Sequence, residues 1–154
     1  MPSHKYTVEK LDFDDVVWYA EVASVNMLVN EMKRPDYVHL PTIYSIIYKM
    51  IEQGTAWIAK IDGKPVGALG GLLATNPFNP SIITLVEVFW YVHDDYRNTR
   101  VGAMLFKSFD EAASTMAHES TMCLLSTSKV NHETLEKKGY VSSEMCFRKI
   151  HKET

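Results

Sequence analysis

The sequence predicts an α+β domain built on a mixed sheet, and three features carry that expectation. Asp62-Gly63 stands between two apolar runs, a strong short-range signal for a β-hairpin. Residues 82–92 form a long, β-branched and aromatic run of the kind found in central strands. Beyond it, Val101, Leu105, Phe109, Ala112, Ala113 and Met116 recur at helical spacing and make one apolar stripe.

The remaining elements follow in order. Residues 6–11 alternate like a short strand, and Asp12 or Asp14 can then cap a helix whose inward positions are Val16, Tyr19, Ala20, Ala23 and Met27. Residues 33–40 read as a loop. Pro41-Thr42 opens a second helix that buries Ile43, Ile46, Ile47, Met50 and Ile51, and Gly54 stops it. Residues 55–61 and 66–73 are the antiparallel arms of the hairpin, and turn-forming residues fill 75–81 before the central strand. After the striped helix come a strand over 121–126, a short helix capped by Asn131 and closed by Gly139, and a final strand over 145–150. No internal repeat or linker composition interrupts the chain, so one domain over 1–154 is expected.

Composition bounds the function. At 154 residues the chain can bury a full core without disulfide or metal staples. Its 46% hydrophobic and 23% charged residues fit a globular fold, which sets disorder and fibrous architectures aside. A net charge of −3 gives no general attraction to phosphate backbones and argues against nucleic acid or an anionic membrane as partner. Cys123 and Cys146 lack metal-ligand spacing and read as buried, reduced thiols. The first ten residues carry no apolar run, and no stretch approaches ~18 apolar residues, so a cytoplasmic protein is expected.

Chemistry concentrates where the long strand meets the striped helix. The segment Val92-His93-Asp94-Asp95-Tyr96-Arg97-Asn98-Thr99-Arg100-Val101-Gly102-Ala103 joins them and sets two arginines beside the helix start. A helix N-terminus leaves backbone N–H groups without internal partners and carries partial positive charge, so it can cradle a pyrophosphate. Arg97 and Arg100 can add charge-assisted contacts, and a glycine at 102 lets phosphate oxygens approach the backbone.

Residues 92–106 resemble motif A of the GNAT family of N-acetyltransferases, in which a strand ends in Val and Arg/Gln-x-x-Gly-x-Gly/Ala then opens a helix. Arg97 takes the Arg place and Gly102 the second Gly, whereas Arg100 stands where the first Gly is usual. The element order is similar to the whole family fold, a mixed, mostly antiparallel sheet flanked by about four helices. The resemblance implies that acetyl-CoA binds as cosubstrate between strands that splay at the motif helix. Backbone groups of Tyr91, Val92 and His93 would hold its arm, residues Arg97, Asn98, Thr99, Arg100, Val101, Gly102 and Ala103 its pyrophosphate, and Asn131 would also bind the cofactor. It implies transfer of an acetyl group to a primary amine on a small molecule or a protein, by direct attack of the neutral amine.

Glu87 is the candidate base. In a regular strand it shares a face with Leu85, Phe89 and Tyr91, an apolar setting that raises a carboxyl pKa, and several family members carry a glutamate on this strand. The bland alternative has Glu87 facing solvent or paired with a lysine. Family members often place a tyrosine acid in the late helix, but the matching segment 131–140 has Leu135 there, which leaves Ser126, Ser128 or Asn131 to orient a water, or the thiolate to leave without help. His93 and His132 lack metal-site spacing, so no metal is assigned. Trp18, Trp57 and Trp90 read as core. Acceptor choice is expected from 26–37 and 76–80, where Glu31, Asp36 and Tyr37 can attract a cationic amine. A non-catalytic acyl-CoA-binding or protein-interaction module on the same fold stays open, as does a homodimer through the final strands.

Overall fold

The hairpin turn is as the sequence demands: Asp62 (φ 51°) and Gly63 (φ 82°) both adopt positive φ, the pattern of a type I′ turn between twisted strands. The computed structural model describes residues 3–125 and 132–152. The chain divides into two units, Met1–Cys123 and Leu124–Thr154.

The first unit holds a five-stranded sheet in the order β1-β2-β3-β4-β5. Strands β1 (Tyr6–Lys10), β2 (Ala56–Ile61), β3 (Lys64–Thr75) and β4 (Ile83–Val92) pair antiparallel in succession, and β5 (Glu119–Thr121) lies parallel to β4. This is the mixed, mostly antiparallel sheet expected. On one face, Tyr19, Ala20, Ala23, Ile47 and Met50 pack with Ile58, Ala68, Phe89 and Tyr91. On the other, α2 (Val101–Met116) lays Val101, Leu105, Phe109 and Ala113 against Trp57, Leu69 and Leu85. The four-residue steps of that stripe make α2 the lid of the second core.

The helical run after β1 buries its expected positions, but its winding differs from an ordinary α-helix. Asp12 accepts the N–H of Asp14 at 2.9 Å and starts the run. Trp18–Ser24 and Met27–Glu31 then wind as π-helix, with Met32 N–H reaching the Met27 carbonyl at 2.9 Å. Steps of four, such as Tyr19–Ala23–Met27, still face the sheet in this wider turn. Helix α1 (Leu40–Gln53) follows, and Gly54 ends it in the left-handed region at φ 72°, as its position after the apolar stripe predicts.

Three expectations are corrected. The strand foreseen over 121–126 is Glu119–Thr121 and stops opposite Val86, because β4 bulges at the next residue and leaves the ladder. In the second unit, α3 covers His132–Glu136 and Gly139 has φ 90°, but residues 145–150 form no strand. A strand needs a ladder partner; without one, Met145 and Phe147 are 80% and 88% exposed. Cys123 and Cys146 form no disulfide among the described residues and are exposed rather than buried. Among the described residues, no helix is long and apolar enough to cross a membrane.

Gly71 sits at the register shift between β3 and β4, where a Cβ would approach the Val86 carbonyl oxygen at 2.8 Å and Phe109 at 3.1 Å. Backbone cannot yield as a side-chain tip can. Gly71→Ala is expected to lower stability by about 1–3 kcal/mol. This would be read as a lower urea midpoint at unchanged slope; an unchanged midpoint would show that the strand pair absorbs the methyl group.

Candidate active site

The site begins where β4 loses its second neighbour. Thr84, Leu85 and Val86 pair with Glu119, Ser120 and Thr121, and no β5 residue stands beside β4 after that. At the same point Gly71 faces Glu87 while Gly70 faces Phe89, so Val88 is an extra residue, a β-bulge. The bulge resets the strand's alternation: Leu85 faces α2, whereas Phe89 and Tyr91 face the helices opposite. Glu87 therefore cannot share one face with Leu85, Phe89 and Tyr91, as regular alternation predicts. Burial, and after it the charge of Glu87, pushes up the phenol of Tyr19, which belongs to the cluster of Phe89 and Tyr91.

The open edge has a definite polarity. His93 donates its N–H to the Val66 carbonyl at 2.8 Å, and its own carbonyl accepts from Tyr96. By antiparallel alternation Tyr91 also turns its backbone groups toward β3, so Trp90 and Val92 present theirs to the gap. Trp90, expected in the core, stacks its ring on Phe106 at 5.9 Å.

Glu87 is half-buried. Burial pushes its carboxyl up to about 7, against the opposing pull of the Cys123 backbone N–H, which donates to it. A carboxyl titrating there can accept a proton near neutrality.

The turn before α2 leaves donors free. Thr99 accepts the Val101 N–H on its hydroxyl at 3.3 Å and donates that hydroxyl to Tyr96 O at 2.6 Å. The first helical bond runs from Met104 N–H to Arg100 O, which leaves Gly102 and Ala103 without a helical acceptor. The N–H groups of Asn98 and Arg100 likewise have no protein acceptor among the described residues. This donor set fits the pyrophosphate of an acyl-CoA. A Cβ on Gly102 would meet only Trp90 and Val92 at 3.7 and 3.9 Å, ordinary contacts, so the fold itself does not require glycine there. Arg100, in the unusual place, has φ −75° and ψ 0°, a conformation open to any residue, and its guanidinium lies 4.6 Å over the Tyr6 ring.

Arg97 is more engaged than its sequence setting suggests. Its Nε donates to the Val92 carbonyl at 3.0 Å, its Nη2 pairs with Asp94 at 3.0 Å, and the same nitrogen bonds Glu31. Burial raises the Glu31 carboxyl while Arg97 pulls it down. Glu31, expected to attract an amine, is thus committed to the arginine. Asp36 and Tyr37 are held by Arg34, which donates to both and stacks on the tyrosine ring at 3.9 Å. The three do not form a free anionic set. In the loop over 76–80, Asn76 accepts the N–H groups of Phe78 and Asn79. Ser126, Ser128 and Asn131 lie outside the described residues; His132 is exposed on α3 and Leu135 is half-buried there. Among the described residues, no group of three or more His, Cys, Asp or Glu side chains is placed to hold a metal.

Comparison with known proteins bears on the family and the fold. Residues 25–140 match the family model described as acetyltransferase (GNAT) family. No curated protein matches the chain in sequence. A solved structure described as "predicted acetyltransferase with acetyl-CoA" from Clostridium acetobutylicum superposes with a TM-score of 0.74 at 12% identity, covering 96% of each chain. Glucosamine-6-phosphate N-acetyltransferase from Arabidopsis thaliana gives 0.69 at 11% identity, over 96% of this chain and 99% of that one. An aminoglycoside acetyltransferase from an uncultured soil metagenomic sample, in complex with sisomicin, gives 0.65 at 15% identity, over 96% and 97%. With a family match across three-quarters of its length and the fold of these enzymes, the chain belongs to the GNAT acetyltransferase family.

Proposed function

We propose that this protein transfers an acetyl group from acetyl-CoA to a primary amine, with Glu87 as the base that removes the amine proton. The observation that carries the reading is a carboxyl raised to about 7 at the point where β4 leaves β5, beside a strand edge and a helix start that both keep free donors. Bound acetyl-CoA supplies an activated thioester. The protein's part is to hold and orient it: backbone N–H groups of Asn98, Arg100, Gly102 and Ala103 take the phosphates, and backbone groups of Trp90 and Val92 take the arm as an added strand would be taken. Arg97 steadies the open edge at the Val92 carbonyl and ties it to the π-wound segment through Glu31. A primary amine is mostly protonated at neutral pH and cannot attack until it loses a proton, which Glu87 in its ionised form accepts. The departing thiolate needs no dedicated acid, since a thiol of ordinary pKa is a fair leaving group. The likeness to enzymes named for aminoglycoside and glucosamine-6-phosphate acceptors, and to one named for a ribosomal-protein alanine, supports an amine acceptor on a small molecule or a protein.

In the free enzyme kcat/KM should rise with pH through about 7, because the base works only once ionised and its carboxyl titrates there. Glu87→Gln should abolish that limb and lower turnover by roughly a hundredfold or more, with acetyl-CoA affinity unchanged. A thiol-release assay over an amine panel reads both, and an unaltered pH profile in the variant would contradict the assignment.

Gly102→Val should weaken acetyl-CoA binding at least about tenfold while leaving thermal stability nearly unchanged, since the larger side chain stands among the free donors of the turn and its Cβ meets only Trp90 and Val92 at ordinary contact distances. Calorimetric titration checks this, and wild-type affinity in the variant would place the phosphates elsewhere.

A further inference from the structure

Glu31 is the last residue of the second π-wound segment, and its carboxylate bonds Arg97 across 66 positions of the chain. A π turn closes its hydrogen bonds one residue later than an α turn, so side chains at its end point where an α-helix would not aim them. The bond from Met32 N–H to the Met27 carbonyl is that closure, and Glu31 lies within it.

The carboxylate is set into the fold. Its side chain is 22% exposed, against 83% for Asp94, the other acid on the same guanidinium nitrogen. A charge withdrawn from water needs a partner, whereas a neutral side chain of the same length would fill this place at less cost. Packing alone therefore does not account for a glutamate here.

What Arg97 holds gives the charge a use. Its Nε donates to the Val92 carbonyl at 3.0 Å, on the side of β4 that lies away from β3. The residue itself belongs to the turn in which the Asn98 and Arg100 N–H groups have no protein acceptor among the described residues. One guanidinium thus spans both parts of the proposed cosubstrate site, the strand edge and the donor turn. Asp94 also pairs with it from within the turn, but an acid so exposed holds a long side chain weakly. Glu31 is the anchor that comes from another element.

We propose that Glu31 is a positioning residue for the cosubstrate: through Arg97 it fixes the Val92 carbonyl and the donor turn in one geometry before acetyl-CoA arrives. The inference rests on the cosubstrate lying along that edge and turn, and is independent of which group acts as base. A site ordered in advance spends less of the binding energy on its own ordering, so Glu31 strengthens affinity without touching the ligand. Met27, in the same π-wound segment, packs on the first core and gives the anchor a fixed base.

Coenzyme A titration of the wild type, Glu31→Gln, Arg97→Gln and the double variant tests this. Glu31→Gln should weaken binding about three- to tenfold and raise KM for acetyl-CoA more than it lowers kcat. Because Glu31 acts through Arg97, the double variant should bind no more weakly than Arg97→Gln alone. Wild-type affinity in Glu31→Gln, tighter binding there, or losses that add in the double variant would each overturn the proposal. The wild-type protein gives a second test that does not need a variant to fold: its Arg97 Nε–H resonance should exchange slowly with water in the free protein. Exchange at the rate of a fully exposed arginine overturns the proposal. If the wild-type protein binds no coenzyme A, the function proposed above fails and this role of Glu31 with it. Wild-type binding that Glu31→Gln leaves unchanged sinks the role of Glu31 alone.

Discussion

The site depends on the parting of β4 from β5. Three residue pairs join the two strands, and then β4 bulges and continues, among the described residues, paired with β3 alone. One irregularity has three consequences. It opens a row of backbone donors and acceptors at Trp90 and Val92, it turns Phe89 and Tyr91 into the core opposite α2, and it leaves Glu87 half-buried at the fork. Glycines make it feasible. Side chains at 70 or 71 would collide with Tyr19, Met50 or the Val86 carbonyl, so β3 must be thin where β4 is thick.

Arg97 connects the halves of this arrangement. A guanidinium donates in several directions within one plane, and here it bonds a strand carbonyl, Asp94 in the turn and Glu31 on the helical run at once. The segment expected to choose the acceptor is thereby tied to the edge expected to hold the cosubstrate. Its three acceptors engage Nε and Nη2, and the proposed phosphate site rests on backbone amides instead. The same division explains why Arg100 is tolerated in a glycine place: its backbone is right-handed and its charge rests over Tyr6, away from the donors.

Much of the scaffold was legible in the sequence because local physics decides it. Asp62-Gly63 specifies its turn, Gly54 its helix end, and the four-residue stripe from Val101 to Ala113 specifies α2. The donor-rich turn before α2 was legible for the same reason, as a helix start needs no distant partner. Features set by distant pairing were not. The bulge depends on register against Gly70 and Gly71, so the face of Glu87 could not be read from alternation. Arg97 meets Glu31 across 66 positions, and neither residue's neighbours announce the other. Tyr19 fell on a core stripe like any aromatic residue; only its oxygen, without a hydrogen-bond partner among the described residues, sets it apart. Residues 145–150 alternate as a strand does, but alternation supplies no ladder partner.

Hydrogen exchange at the β4 edge tests the central claim most directly, because it reports each amide by itself. In the free protein the Tyr91 and His93 amides, bonded to β3, should exchange slowly, while those of Trp90 and Val92 exchange fast. Added coenzyme A should slow Trp90, Val92, Gly102 and Ala103 together and leave Tyr91 and His93 unchanged. If the Trp90 and Val92 amides are already protected, or coenzyme A slows none of the four, the open edge is not where the cosubstrate binds.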